Sequence, residues 1–149
     1  MFISSTYWSD AIGLVAALTT IRELRRRDTA KYLHDFGGRL QARMNAVAAE
    51  VGLDIHCGGL AVHPHLHIPG DAATRKLLTT LYIQEMAKRG CHGYASFYLN
   101  GAQGEAELEQ TAAAARETFA LMKRGLDEGS LDKLVESRLQ DEPFQRLVR

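Results

Sequence analysis

Apolar residues recur at spacings of three and four over most of the chain, and the period drops to two over residues 53–68 and again over 91–99. Ser9 or Asp10 caps a first predicted helix. In it, Ile12, Leu14, Val15, Leu18, Ile21 and Leu24 leave the opening turns apolar nearly all round. Such a pattern predicts burial on more than one side. Arg25, Arg26 and Arg27 then stand at the negative end of the helix dipole, as a solvated terminus would have them. A second helix starts at Asp28 or Thr29. Leu33, Phe36, Leu40, Met44, Val47 and Val51 form one stripe along it, and Gly52 ends it. Gly37 and Gly38, inside that helix, each cost about 1 kcal/mol relative to alanine, so close approach of another backbone or a local kink is expected there.

Residues 53–68 read as a hairpin with Gly58 and Gly59 in the turn. On its longer strand Leu60, Val62, Leu66 and Ile68 are expected to face one way and Ala61, His63, His65 and His67 the other, with Pro64 marking an edge or a bulge. Asp71 caps a third helix that buries Leu77, Leu78, Leu81, Tyr82 and Met86 and ends at Gly90. Residues 91–99 read as a further strand closed by Asn100 and Gly101. A long helix follows with Leu108, Ala112, Ala115, Phe119, Met122 and Leu126 at helical spacing, and with Glu105, Glu107 and Glu109 where the dipole favours acids. Beyond Gly129 and Ser130, a short helix holds Leu131, Leu134, Val135 and Leu139, and the tail from Pro143 to Val148 is apolar enough to dock. The expected class is α+β: a small, largely antiparallel sheet of about three strands packed with helices.

Length and composition agree with one domain over 1–149, since 149 residues with 46% hydrophobic and 24% charged side chains suffice for one core. Lys plus Arg and Asp plus Glu number 18 each, so no overall field favours nucleic acid or an anionic membrane. Cys57 and Cys91 make neither a disulfide framework nor a CxxC pair and are expected to behave as small apolar side chains in a reducing cytoplasm. The apolar stretch at 11–18 is too short to span a bilayer, and no basic segment precedes it as in a signal peptide. A soluble, cytoplasmic protein is expected.

His63, His65 and His67 are the conspicuous local cluster, because alternate strand residues project to one side and imidazoles so spaced can converge on zinc. His56, His92 and Cys57 join only if the fold brings them near. A polar outer face of a half-buried hairpin explains the spacing more simply, so no metal is assigned. No GxSxG elbow, GxGxxG loop or GxxxxGK loop occurs, and Glu105 with Glu109 fits a solvated helix face better than an acid/base pair. No catalytic residue is assigned. Residues 3–10, rich in hydroxyls and leading into a helix N-terminus, suit either a cap or a bound phosphate.

Ser5, Thr6 and Tyr7, followed by the helix sequence AIGLVAALTTI at 11–21, resemble the junction between large and small domains in class III pyridoxal-phosphate-dependent aminotransferases, glutamate-1-semialdehyde 2,1-aminomutase among them. Tyr32, Leu33, Gly37, Leu40, Gly90, the segment at 102–108 and the tail at 144–148 extend the resemblance over nearly the whole chain. It implies a C-terminal small domain, with residues 1–10 as the interdomain segment. It also implies that Thr6, assisted by Ser5, binds the phosphate of pyridoxal 5'-phosphate in a neighbouring subunit. Trp8, Asp10 and Ala11 stand where many members have glycine, asparagine and proline, and Gln103 where many have histidine, so Gln103 is given no substrate role.

The Schiff-base lysine and the acid opposite the pyridine nitrogen lie upstream in that family, and Lys31, Lys76, Lys88, Lys123 and Lys133 match neither. The implied cofactor is therefore bound only together with a large domain, and the chain is inactive alone. Its implied partner is a large-domain chain or a further copy of itself. A non-catalytic binding or oligomerisation module on the same fold is the alternative, and a small metal-binding protein a third reading. Substrate, and transferase against mutase chemistry, stay open.

Overall fold

The computed structural model describes residues 11–139. Its elements are α1 (Ala11–Arg26), α2 (Thr29–Val51), β1 (His56–Leu60), β2 (His63–His67), α3 (Ala72–Lys88), α4 (Glu105–Asp127) and α5 (Leu131–Leu134). Helices α2, α3 and α4 enclose one core, which the inner face of the hairpin completes. Phe36, Leu40, Met44 and Val47 are the buried part of the α2 stripe, and they meet Ala112, Ala115, Phe119 and Met122 of α4. Three of the buried α4 residues, Ala112, Ala114 and Ala115, are small, and α2 and α4 are both 23 residues long. Leu78, Leu81, Tyr82 and Met86 close the core from α3, whose N-cap Asp71 accepts the Thr74 N–H at 2.8 Å.

The class is α+β, with helices predominating and an antiparallel sheet of two strands among the described residues. The expected third strand at 91–99 meets β2 only at an isolated bridge between His65 and Ser96. There Leu66 N–H donates to Ala95 O at 2.7 Å and Phe97 N–H to Pro64 O at 2.9 Å. The same edge of β2 requires an N–H from residue 64, and proline has none, so the ladder stops after one rung. Residues 91–99 are accordingly held against β2 without becoming a strand.

The hairpin also turns later than its glycines suggest. Gly58 and Gly59 belong to β1, opposite His65 and Pro64, and the turn is formed by Ala61 and Val62. Two contacts from α2 explain the longer strand. Asn45 accepts the Cys57 N–H at 2.7 Å and donates to Cys57 O at 3.0 Å, and Gln41 Nε2 donates to Gly59 O at 3.0 Å. These side chains occupy the free backbone edge of β1 as another strand would. One consequence corrects the expected facing: Leu66 and Ile68 are buried as the alternation requires, whereas Leu60 and Val62 are exposed at the hairpin tip.

Helix α1 buries no residue and, among the elements, touches α2 alone. Ile12, Leu14, Val15, Leu18, Ile21 and Leu24 are all exposed, Ile12 by 79%. A surface this apolar is unusual on a helix that packs on one neighbour alone.

After α5, the chain is anchored by polar side chains of α3. Gln84 Nε2 donates to Leu134 O at 3.0 Å and its Oε1 accepts the Glu136 N–H at 2.8 Å. Glu85, beside it, is buried. Burial would raise its pKa, yet hydrogen bonds from Gln84, Arg89 and Lys88 hold it down at about 2, against 4.5 ordinarily. Because the folded-state value is the lower one, the stabilisation is complete above the ordinary value and is lost as pH falls from about 4.5 toward about 2. Urea midpoints compared at pH 7 and pH 3 should therefore drop more for the parent chain than for Glu85→Gln. Equal drops would remove Glu85 from the acid response.

Candidate functional site

A cavity of about 700 Å³ lies under residues 90–99 between α2, α3 and α4. Phe36, Leu40, Tyr82, Met86 and Leu108 make its walls apolar. Of its polar groups, Ser96, Gln103, Glu107 and Thr111 are hydrogen-bonded within the chain. Glu107 accepts the Gly104 N–H at 2.8 Å, and that bond lowers its pKa while fixing the start of α4. Burial first, and then the nearby Cys57 and Cys91 thiols, push the Tyr82 phenol up. Burial alone raises the Cys57 thiol to about 11, so at neutral pH it is a protonated apolar side chain. A second hollow of about 560 Å³ separates α1 from α2 and is lined by Thr19, Glu23, Arg27, Thr29 and Tyr32.

Neither hollow is lined by a lysine or an aspartate. Lys31 is exposed and bound to Asp35, whose hydrogen bond raises its pKa. Lys88 is likewise raised by Glu136 and Glu85. Lys123 is paired with Asp127 at 2.5 Å. A Schiff-base lysine needs the opposite, a lowered pKa in a ligand-sized pocket. Lys31, Lys88 and Lys123 are therefore not placed as a Schiff-base lysine would be, and no chemical step is derived through pyridoxal phosphate. Ser5 and Thr6 lie outside the described residues.

The histidines gather as the strand pattern predicts. His56 and His67 pair across the hairpin with ring centroids 6.2 Å apart, and His63 packs at 4.4 Å on His65 and at 4.6 Å on Tyr98. His65 Nδ1 lies 2.9 Å from Ser96 Oγ. Among the described residues, no group of three or more His, Cys, Asp or Glu side chains is placed to hold a metal.

Asn45, Gln41 and Gln84 went unnoticed in the sequence. As single polar residues on amphipathic helices they look solvated, and only the fold reveals that each holds a stretch of backbone. No helix among the described residues is long and apolar enough to cross a membrane.

This arrangement of helices and hairpin is shared with part of a pyridoxal-phosphate protein. The internal aldimine form of the FumI protein of Sphingopyxis sp. MTA144 superposes with a TM-score of 0.74 at 22% identity, over 85% of this chain and 31% of that one. In sequence, the chain is similar to the 3-aminobutyryl-CoA aminotransferase of Cloacimonas acidaminovorans, with 27% identity over 133 residues. That alignment takes in 85% of this chain and 31% of the aminotransferase, so the chain spans about a third of the curated relative's length. No protein-family model matches the chain. The similarity is thus to one part of an aminotransferase, on a fold that also forms part of a pyridoxal-phosphate protein.

Proposed function

We propose that this chain is the C-terminal small domain of a class III pyridoxal-phosphate-dependent aminotransferase or aminomutase, of the glutamate-1-semialdehyde aminomutase kind. On this reading it is inactive alone and contributes to a cofactor site whose catalytic half lies in a large domain. The observation that carries the reading is that 85% of the chain aligns with only 31% of an aminotransferase.

Residues 1–10 form the interdomain segment in this proposal, and the hydroxyls of Thr6 and Ser5 donate to the cofactor phosphate of a neighbouring subunit. Pyridoxal phosphate, when bound, supplies the electron sink, and this chain supplies phosphate binding and a rigid wall. The exposed apolar faces of α1 favour the same reading, since an enzyme's other domain is a partner able to cover them. A second copy of the chain is the alternative cover, and would make the domain an oligomerisation module.

Mixing the chain with a separately made large-domain chain and pyridoxal phosphate tests the proposal. A complex and a cofactor absorbance band are expected that neither chain gives alone. Thr6→Val should weaken cofactor binding about tenfold, the value of one hydrogen bond to a charged phosphate. Failure to form either complex or band contradicts the proposal.

A further inference from the structure

We propose that His63 and His65 chelate a borderline divalent transition ion of the Cu2+, Ni2+ or Zn2+ type through their Nε2 atoms, on the outer face of β2. Residues two apart on a strand project to the same side, and these two rings stand 4.4 Å apart between centroids and are inclined by 67°. Two imidazoles that share an ion at about 2.0–2.1 Å from each nitrogen have centroids roughly 5 Å apart, so the ring separation suits a shared ion once the His63 ring turns its buried Nε2 outward.

The two rings are prepared for this in different ways. His65 Nδ1 is taken by Ser96 Oγ at 2.9 Å, which fixes the ring and leaves Nε2 for the ion, as the outer partner of a metal-bound histidine does. His63 Nε2 is buried without a hydrogen-bond partner, and the Tyr98 ring lies 4.6 Å from the His63 ring. A buried nitrogen left unpaired costs about 1–3 kcal/mol, which coordination to an ion would offset. Gly58, opposite His65, adds no side chain to crowd the pair. His56 and His67 share the sheet face, but their rings are nearly parallel at 20° and 6.2 Å apart, so they do not converge. Two protein ligands leave the remaining positions to water. That makes a labile site rather than a structural one, and Cu2+ is favoured among these ions.

Calorimetric titration of the full chain with Cu2+, together with electron paramagnetic resonance of the loaded sample, tests the proposal. One ion per chain with two coordinated nitrogens is expected. His63→Asn and His65→Asn should each weaken binding about tenfold or more. His34→Asn and His67→Asn should leave it unchanged. The absence of stoichiometric binding, a single-nitrogen spectrum, or an affinity indifferent to both His63→Asn and His65→Asn overturns the assignment.

Discussion

Gly37→Ala is expected to destabilise the chain by about 2 kcal/mol or more, whereas Gly38→Ala, one residue on, should be neutral or stabilising by up to about 1 kcal/mol. A Cβ on Gly37 would stand 1.7 Å from Ala61 O, 2.6 Å from Ala61 C and 2.8 Å from Leu99 Cδ1. Backbone at the hairpin turn cannot swing aside as a flexible side chain can, so either the tip lifts off α2 or the helix moves away. At Gly38 nothing lies within 4 Å, and alanine there gains only helix propensity. Denaturant unfolding of the two variants checks this pair, and similar midpoints for both would contradict the close packing of hairpin on helix. Because the hairpin carries the histidines, Gly37→Ala should also disturb their stacking.

The next largest effect is expected from Asn45→Ala. Its amide satisfies both the N–H and the C=O of Cys57, a residue that is 2% exposed, and alanine leaves both without a partner. At about 1–3 kcal/mol for each unpaired buried group, the loss should come to roughly 2–6 kcal/mol, with faster hydrogen exchange at the Cys57 amide. Gln41→Ala removes a single, more exposed bond to Gly59 O and should cost about 1 kcal/mol. A larger loss for Gln41 than for Asn45 would mean that the edge of β1 is protected in some other way.

The helices were legible because burial enforces their period. Every residue expected on the α2 stripe between Phe36 and Val47 is buried, and so is the α4 series from Leu108 to Met122. Gly37 announced a close approach whose partner, the Ala61 carbonyl, only the fold supplies. The sheet was less legible, for reasons that reside in tertiary contacts. Glycines at 58 and 59 favour a turn locally, but Asn45 and Gln41 pair with the backbone around them and carry the strand on to Leu60. Residues 91–99 have strand composition, and the missing N–H of Pro64 denies them a ladder. Of the candidate site, the histidine face was visible from alternation alone. The relation between Ser96 and His65, 31 residues apart, was not.

The central proposal, that the catalytic half of the cofactor site lies outside this chain, is tested most directly by borohydride reduction of the isolated chain with pyridoxal phosphate, followed by mass spectrometry. The expected result is no lysine labelled selectively at one cofactor per chain, with Lys31, Lys76, Lys88, Lys123 and Lys133 reacting only weakly and together. Stoichiometric labelling of one of these lysines, accompanied by a cofactor absorbance band in the isolated chain, would contradict it.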